Sequence, residues 1–207
     1  PFFVFKIKDQ KGNKEKLKFE EITKIELLEL ENGSLIWHVR NAFLFSFYCA
    51  GVRVSDILCL KREDITNEGL DYRMKKTNTF KSIWLSPQAK ELAQFYRNEE
   101  TPYFFPFLKN NFDSNDPVTL HNQISAKTTL INKYLKKIAQ LADINIPLSF
   151  HISRHSFADY VRKKGMNLYD ISKALGHSSL KITESYLASF DEESLDNEMK
   201  NIFGKAT

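Results

Sequence analysis

The chain has 207 residues, 42% hydrophobic and 27% charged, an ordinary globular balance sufficient for one or two cores. Its formal net charge of +4 and pI near 8.9 are mildly basic, which suits nucleic acid without singling it out. No run approaches the ~20 apolar residues of a membrane span, no signal peptide is visible, and Cys49 and Cys59, without metal-ligand spacing, read as reduced, buried thiols in a cytosolic setting.

Residues 1–20 mix apolar and lysine residues without helical period, which reads as an extended linker, with a short edge strand, into the domain that follows. Pro1 stands where an initiator methionine would, as in a piece of a longer chain. Thr23 with Glu26 three residues on forms a capping box and predicts a helix through about Glu31. Asn32-Gly33 closes it, and Ser34 caps the next helix. Residues 35–50 are apolar nearly all round, as in a buried helix, with His38 a packed or surface histidine. Gly51 stops that helix, Arg53 lies in the turn, and a short helix runs to about Leu60.

Residues 64–86 read as strand, turn and strand: 70–76, a connection over 77–80, and a return over 81–85. Pro87 starts a helix to about Arg97. The span 98–117 is loop-like, with Tyr103-Phe104-Phe105-Pro106 as a buried anchor. An amphipathic helix over 121–141 places Ile124, Thr128, Ile131, Leu135, Ile138 and Leu141 at helical intervals, with His121 at its surface start. A weak acidic helix with Leu195, Met199, Ile202 and Phe203 on one side closes the chain. The class is mainly α with a small antiparallel β-sheet (α+β): 1–20 linker, 21–190 main domain, 191–207 tail helix.

The stretch 150–187, FHISRHSFADYVRKKGMNLYDISKALGHSSLKITESYL, organises the rest. On a helix starting near His151, positions three and four apart stack, so His151, Arg154, His155, Ala158 and Arg162 share one side. The opposite side, with Phe157, Tyr160 and Val161, is predicted to pack on the core. A second short helix over 170–175 ends at Gly176, His177 sits in the turn, and Ser178 or Ser179 caps a third helix that carries Tyr186.

H-x-x-R-H-S-F-A, then L-G-H-S-S, then a tyrosine nine residues past that histidine, resembles the C-terminal half of a tyrosine recombinase (phage integrase) catalytic domain. Upstream, A-G-V-R-V-S-D-I is similar to the family's first arginine signature, and Lys76-Thr77 to its lysine-threonine pair on a hairpin. The resemblance implies that Arg53 and Arg154 hold the phosphate oxygens of DNA, because a guanidinium fork matches them and stays charged. It implies Tyr186 as nucleophile, His151 as the group that takes and returns its proton, Lys76 as proton donor to the departing 5′ oxygen, and His177 as a hydrogen-bond donor to phosphate. Lys75 competes with Lys76, since a slip of one residue reverses the strand face. Asp56 either orients His151 or is a plain surface carboxylate, and His155 packs or caps beside Arg154.

The reaction so implied is a transesterification through a 3′-phosphotyrosyl enzyme, with neither metal nor nucleotide cofactor. No G-x-x-x-x-G-K-[ST] loop and no H-E-x-x-H motif is present. The partners implied are double-stranded DNA and further copies of the chain, a tetramer on DNA with the tail helix docking on a neighbour or on its own domain. A DNA-clasping N-terminal domain would precede the linker, and the setting would be the bacterial cytoplasm, at the nucleoid, for a phage or mobile element. Three rivals stay open: relaxation of supercoils in the manner of a type IB topoisomerase, a DNA-binding regulator that keeps the fold without cleavage, and a helical protein that matches by chance.

Overall fold

Apolar patterning makes one helix the axis of the molecule. The computed structural model describes residues 15–97, 101–109 and 111–187. At its centre α2 (Leu35–Tyr48) starts where the Ser34 side chain accepts a hydrogen bond from the Trp37 N–H, as expected, and buries Trp37, Val39, Ala42, Phe43, Leu44, Phe45 and Phe47. Residues on all its sides are covered, by α1 (Phe19–Glu26), α3 (Val54–Cys59), α4 (Pro87–Gln94), α5 (Pro117–Leu141) and α6 (Phe150–Lys163). This is the burial that a helix without a polar face requires.

Helix α1 differs from the expectation. It begins at Phe19, inside the stretch read as linker, and the Glu21 carboxylate accepts the Lys18 N–H at 2.8 Å, so Glu21 and not Glu26 closes its first turn. Thr23 lies within the helix and donates its hydroxyl to the Phe19 carbonyl. Ahead of α1 the Leu17 N–H donates to Ser156 Oγ at 2.8 Å, and Lys16 pairs with Asp159 at 3.1 Å, which straps residues 16–17 along α6. The edge strand expected before residue 15 and the tail helix after residue 187 lie outside the described residues.

The Tyr103–Pro106 anchor is as expected: Phe104 and Phe105 are fully buried against Phe45 and Tyr96. The Tyr96 hydroxyl accepts from Asn41 Nδ2 at 3.2 Å and meets His38 Nδ1 at 3.1 Å, so the buried polar atoms of this apolar layer are satisfied and His38 is a packed histidine. Helix α5 starts a turn earlier than periodicity predicts. Pro117 occupies its first position and the Asp116 carboxylate caps the N–H groups of Val118 and Thr119, so the proline-rich segment ends in a helix start.

Strands β1 (Gly69–Arg73) and β2 (Phe80–Trp84) pair antiparallel with Leu70 opposite Ile83 and Tyr72 opposite Lys81. The alternation turns Leu70, Tyr72 and Met74 inward together with Lys81 and Ile83, while Phe80 and Trp84 face solvent. In α6 the apolar side packs on the core as expected, with Phe157 and Tyr160 against it, and much of the opposite side is covered as well. Ile152, Ser153, Arg154, His155 and Ala158 are buried, whereas Phe157, Tyr160 and Val161 are only half-buried. Arg154 and His155 are covered because α7 (Leu168–Leu175) and α8 (Leu180–Leu187) fold back over them, while His151 on the same side is exposed. Ala158, Ile171, Leu175, Tyr186 and Leu187 form a small second core beneath that cover.

Candidate active site

The turn after α2 sets the first arginine. Ala50 and Gly51 both take left-handed backbone, with φ of 60° and 67°, and this reverses the chain so that Arg53 stands at the N-terminus of α3. Ser46 Oγ donates to the Val52 carbonyl at 2.7 Å and lies 2.7 Å from Ser153 Oγ, which fixes that turn to α6. Arg154, only 4% exposed, crosses the same turn and donates Nη1 to the Gly51 carbonyl at 2.8 Å and Nη2 to the Leu175 carbonyl. Burial, then repulsion from Arg53, lowers its pKa to about 10, still a cation at neutral pH. Arg53 donates Nη1 to Met74 Sδ at 3.3 Å, so the mouth of the hairpin closes over it.

Asp56 sits beneath this pair. Its Oδ1 accepts the Lys75 N–H at 2.8 Å, so its hydrogen bond goes to the hairpin backbone and not to His151, as the sequence reading had offered. Among the described residues Oδ2 is buried without a hydrogen-bond partner, and burial raises the carboxyl's pKa against the pull of the Lys75 N–H, Arg53 and Arg154. The carboxylate therefore ties the hairpin to α3 within the field of two guanidinium groups.

The lysines divide differently from expectation. Lys75 and Lys76 are exposed in the turn between the strands, whereas Lys81 on β2 is half-buried within the electrostatic reach of Arg53 and Arg154. Burial first, then Arg154, Arg53 and Lys173, depress its pKa to about 8, and its Nζ donates to the Lys173 carbonyl of α7. The signal for it was present in the period of two: Lys81 shares its face with Ile83 and Leu85, both directed inward. Lys81, Thr77, Thr79, Lys173 and His177 line a cleft of about 710 Å³ between the hairpin and α7.

Gly176 ends α7 in left-handed backbone (φ 63°), and its missing side chain leaves room for Met74, whose Cε would lie 2.5 Å from a β-carbon there. His177 follows, with Nδ1 2.8 Å from Thr183 Oγ1. Tyr186 arrives on α8, 8% exposed, its ring 5.5 Å from that of His177 and 5.0 Å from that of His155. Its hydroxyl meets His155 Nδ1 in a hydrogen bond. Burial raises the pKa of the phenol while Arg154 and Arg53 oppose the rise. His151 is exposed, with its ring edge-on to that of His155 at 4.3 Å. The fold thus gathers Arg53, Asp56, His151, Arg154, His155, His177 and Tyr186, adds Lys81, and leaves Lys76 at the hairpin tip. Cations with a phenol among them suit attack on a phosphoryl group, whose equatorial charge they neutralise.

The chain is also similar to known proteins. Residues 17–193 match the phage integrase family. The tyrosine recombinase XerC of Rickettsia bellii (strain OSU 85-389) is 30% identical over 190 residues, 88% of this chain and 59% of that protein. The tyrosine recombinase XerD of Listeria monocytogenes serotype 4b (strain F2365) is 29% identical over 147 residues, 70% of this chain and 48% of that protein. Among solved structures, XerA recombinase superposes with a TM-score of 0.64 at 19% identity, covering 94% of this chain and 66% of that one. XerH site-specific recombinase, bound to palindromic difH substrate after cleavage, does so with a TM-score of 0.61 at 20% identity, covering 89% and 52%. The expected α+β recombinase catalytic fold is therefore the observed one. The chain spans about half to three-fifths of the length of these curated relatives.

Proposed function

We propose, for a chain that belongs to the phage integrase family, the cleavage and rejoining of DNA strands at specific sites through Tyr186. The observation that carries this reading is the Tyr186 phenol held beside histidines, on the edge of a site built by Arg53 and Arg154. Attack by the phenol oxygen on a backbone phosphorus forms the 3′-phosphotyrosyl bond and releases a 5′ hydroxyl. The two guanidinium groups balance the negative charge that gathers on the phosphoryl oxygens, and His177 donates to one of them. Because the covalent link conserves the phosphodiester, reversal by a 5′ hydroxyl from a partner duplex rejoins the strands.

Proton delivery to the departing oxygen falls to a lysine. The resemblance supports Lys76, and Lys81 is the lysine within the field of the arginine pair. Asp56 acts through the hairpin it holds. Exchange between two duplexes needs several copies of the chain on DNA, and we propose a tetramer. The relatives are named as recombinases, which favours strand exchange over relaxation by a topoisomerase-like monomer and over a non-cleaving regulator.

The test is covalent trapping. The protein is incubated with nicked duplexes carrying randomised cores and denatured in detergent, and the DNA-linked band is sequenced. A band in the wild type that is absent from Tyr186→Phe is expected. A band that survives this change overturns Tyr186 as nucleophile, and no band from any duplex overturns cleavage by this chain.

A further inference from the structure

The phenol of a nucleophilic tyrosine must lose its proton as it attacks, and the geometry points to His155 as the group that receives it. This rests on the reading of Tyr186 as the nucleophile. Of the two histidines that α6 presents one turn apart, His155 is the buried one, and its Nδ1 meets the Tyr186 hydroxyl. The two rings lie 30° apart with centroids at 5.0 Å, side by side with that hydrogen bond between them. His151 is exposed, with its ring edge against that of His155 at 4.3 Å.

Burial gives the contact its force. An 8%-exposed phenol cannot shed its proton to bulk water without moving, and an adjacent acceptor supplies the route. With the ring proton on Nε2, Nδ1 offers its lone pair to the phenolic O–H. As the phenol oxygen bonds to phosphorus, the O–H bond breaks and its proton joins Nδ1, leaving an imidazolium. The phosphorus–5′ oxygen bond breaks in the same exchange, and that oxygen takes its proton from a separate donor. In the return direction the imidazolium hands the proton back to the phenolate as the 5′ hydroxyl attacks. Arg154, the residue before His155, neutralises the phosphoryl charge while the proton moves one residue away, so a single turn of α6 serves both tasks.

The experiment has two arms. In the first, the full chain is labelled with ¹⁵N-histidine and its ring nitrogens are assigned in the wild type and in Tyr186→Phe. An unprotonated Nδ1 in His155, shifted when the phenol is removed, is expected. A neutral ring protonated on Nδ1, or no response to Tyr186→Phe, overturns the proposal, since that nitrogen then has no lone pair for the proton or does not face the phenol.

In the second arm, His155→Asn is compared with the wild type on the duplex recovered by trapping. Asparagine places an amide oxygen or nitrogen near the position of Nδ1, so it keeps a hydrogen bond but takes up no proton. DNA affinity within twofold of wild type and single-turnover adduct formation slower by about 10²–10⁴-fold, the usual weight of general-base catalysis, are expected. Adduct formation at the wild-type rate overturns the proposal. Should the wild type form no adduct, the cleavage reading fails, and the nitrogen assignment still decides whether His155 accepts from Tyr186. Should His155→Asn fail to fold, the same assignment in wild type and Tyr186→Phe decides.

Discussion

A β-carbon on Gly51 would stand 2.9 Å from Cγ of Arg154 and 3.0 Å from its Cα. The residue is also in left-handed backbone, where a side chain costs about 1–2 kcal/mol. Both constraints fall on the arginine that spans Gly51 and Leu175. Gly51→Ala is therefore expected to lower the melting temperature by a few degrees and to slow adduct formation at least tenfold, because α6 must back away and carry Arg154 with it. Thermal melting read beside single-turnover trapping checks both, and wild-type trapping with normal melting would show that the close approach is not needed.

Lys81 gives a dependence on pH. Its pKa is depressed to about 8 by burial and by Arg154, Arg53 and Lys173, so the ammonium is intact at pH 7 and lost as pH rises through that value. DNA affinity measured with Tyr186→Phe, which removes cleavage and the phenol's own titration, is expected to weaken between pH 7 and 9. Lys81→Met is expected to bind more weakly at pH 7 and to flatten the profile. The sign for stability is opposite. An unfolded chain holds this proton to near the ordinary lysine value, so unfolding takes up protons between the two pKa values and the group adds stability as pH rises through that window.

Ser46 ties the Arg53 turn to α6 through the Val52 carbonyl and Ser153. Ser46→Ala leaves both partners short of a bond in a fully buried place and is expected to cost about 1–3 kcal/mol. Denaturant unfolding measures it. Ser153→Ala should cost less than additively in the double variant, since the two hydroxyls share one contact.

Asp159 is the one buried carboxylate on α6, with Lys16 at 3.1 Å, Arg162 at 3.2 Å and Lys163 at 2.9 Å. Burial alone would raise its pKa, yet bonds from Lys163 and Lys16 outweigh burial and hold it below the ordinary value. Its contribution is present above the unfolded carboxylate pKa and is lost as pH falls through the lower folded value. Asp159→Asn is expected to cost about 1–2 kcal/mol at pH 7, allowing for solvent around the outer cations, and to become neutral in acid. Denaturation measured at pH 7 and then at successively lower pH, below the ordinary carboxylate value, follows the loss.

Legibility in the sequence followed the range of the interactions. The all-round apolar α2, its Ser34 cap, the Gly51 stop and the hairpin were local, and all were found where patterning placed them to within a few residues. Helix α1 was misplaced because two overlapping i, i+3 pairs compete there, and the backbone chose Lys18 with Glu21. The burial of Arg154 and His155 on α6 was not legible because cations count as solvent-seeking in any local pattern, whereas here a second layer of helix covers them. Which of two histidines would meet Tyr186 depended on a contact 31 residues away, set by how α8 docks. Lys76, favoured by a two-residue motif, lies exposed in the turn, and the strand alternation that turns Lys81 inward was equally readable.

Residues 16 and 17 grip α6 at Asp159 and Ser156, one turn apart and just beyond Arg154 and His155. Mechanically that strap is a handle. A pull on the chain ahead of it is delivered to the helix carrying the site before it reaches the core around α2. The handle has two grips of different kind, an ion pair with Lys16 one-quarter exposed and a buried hydrogen bond from Leu17 to Ser156. Tension at the front of the domain is thus felt as displacement of an arginine and a histidine, with α2 still in register.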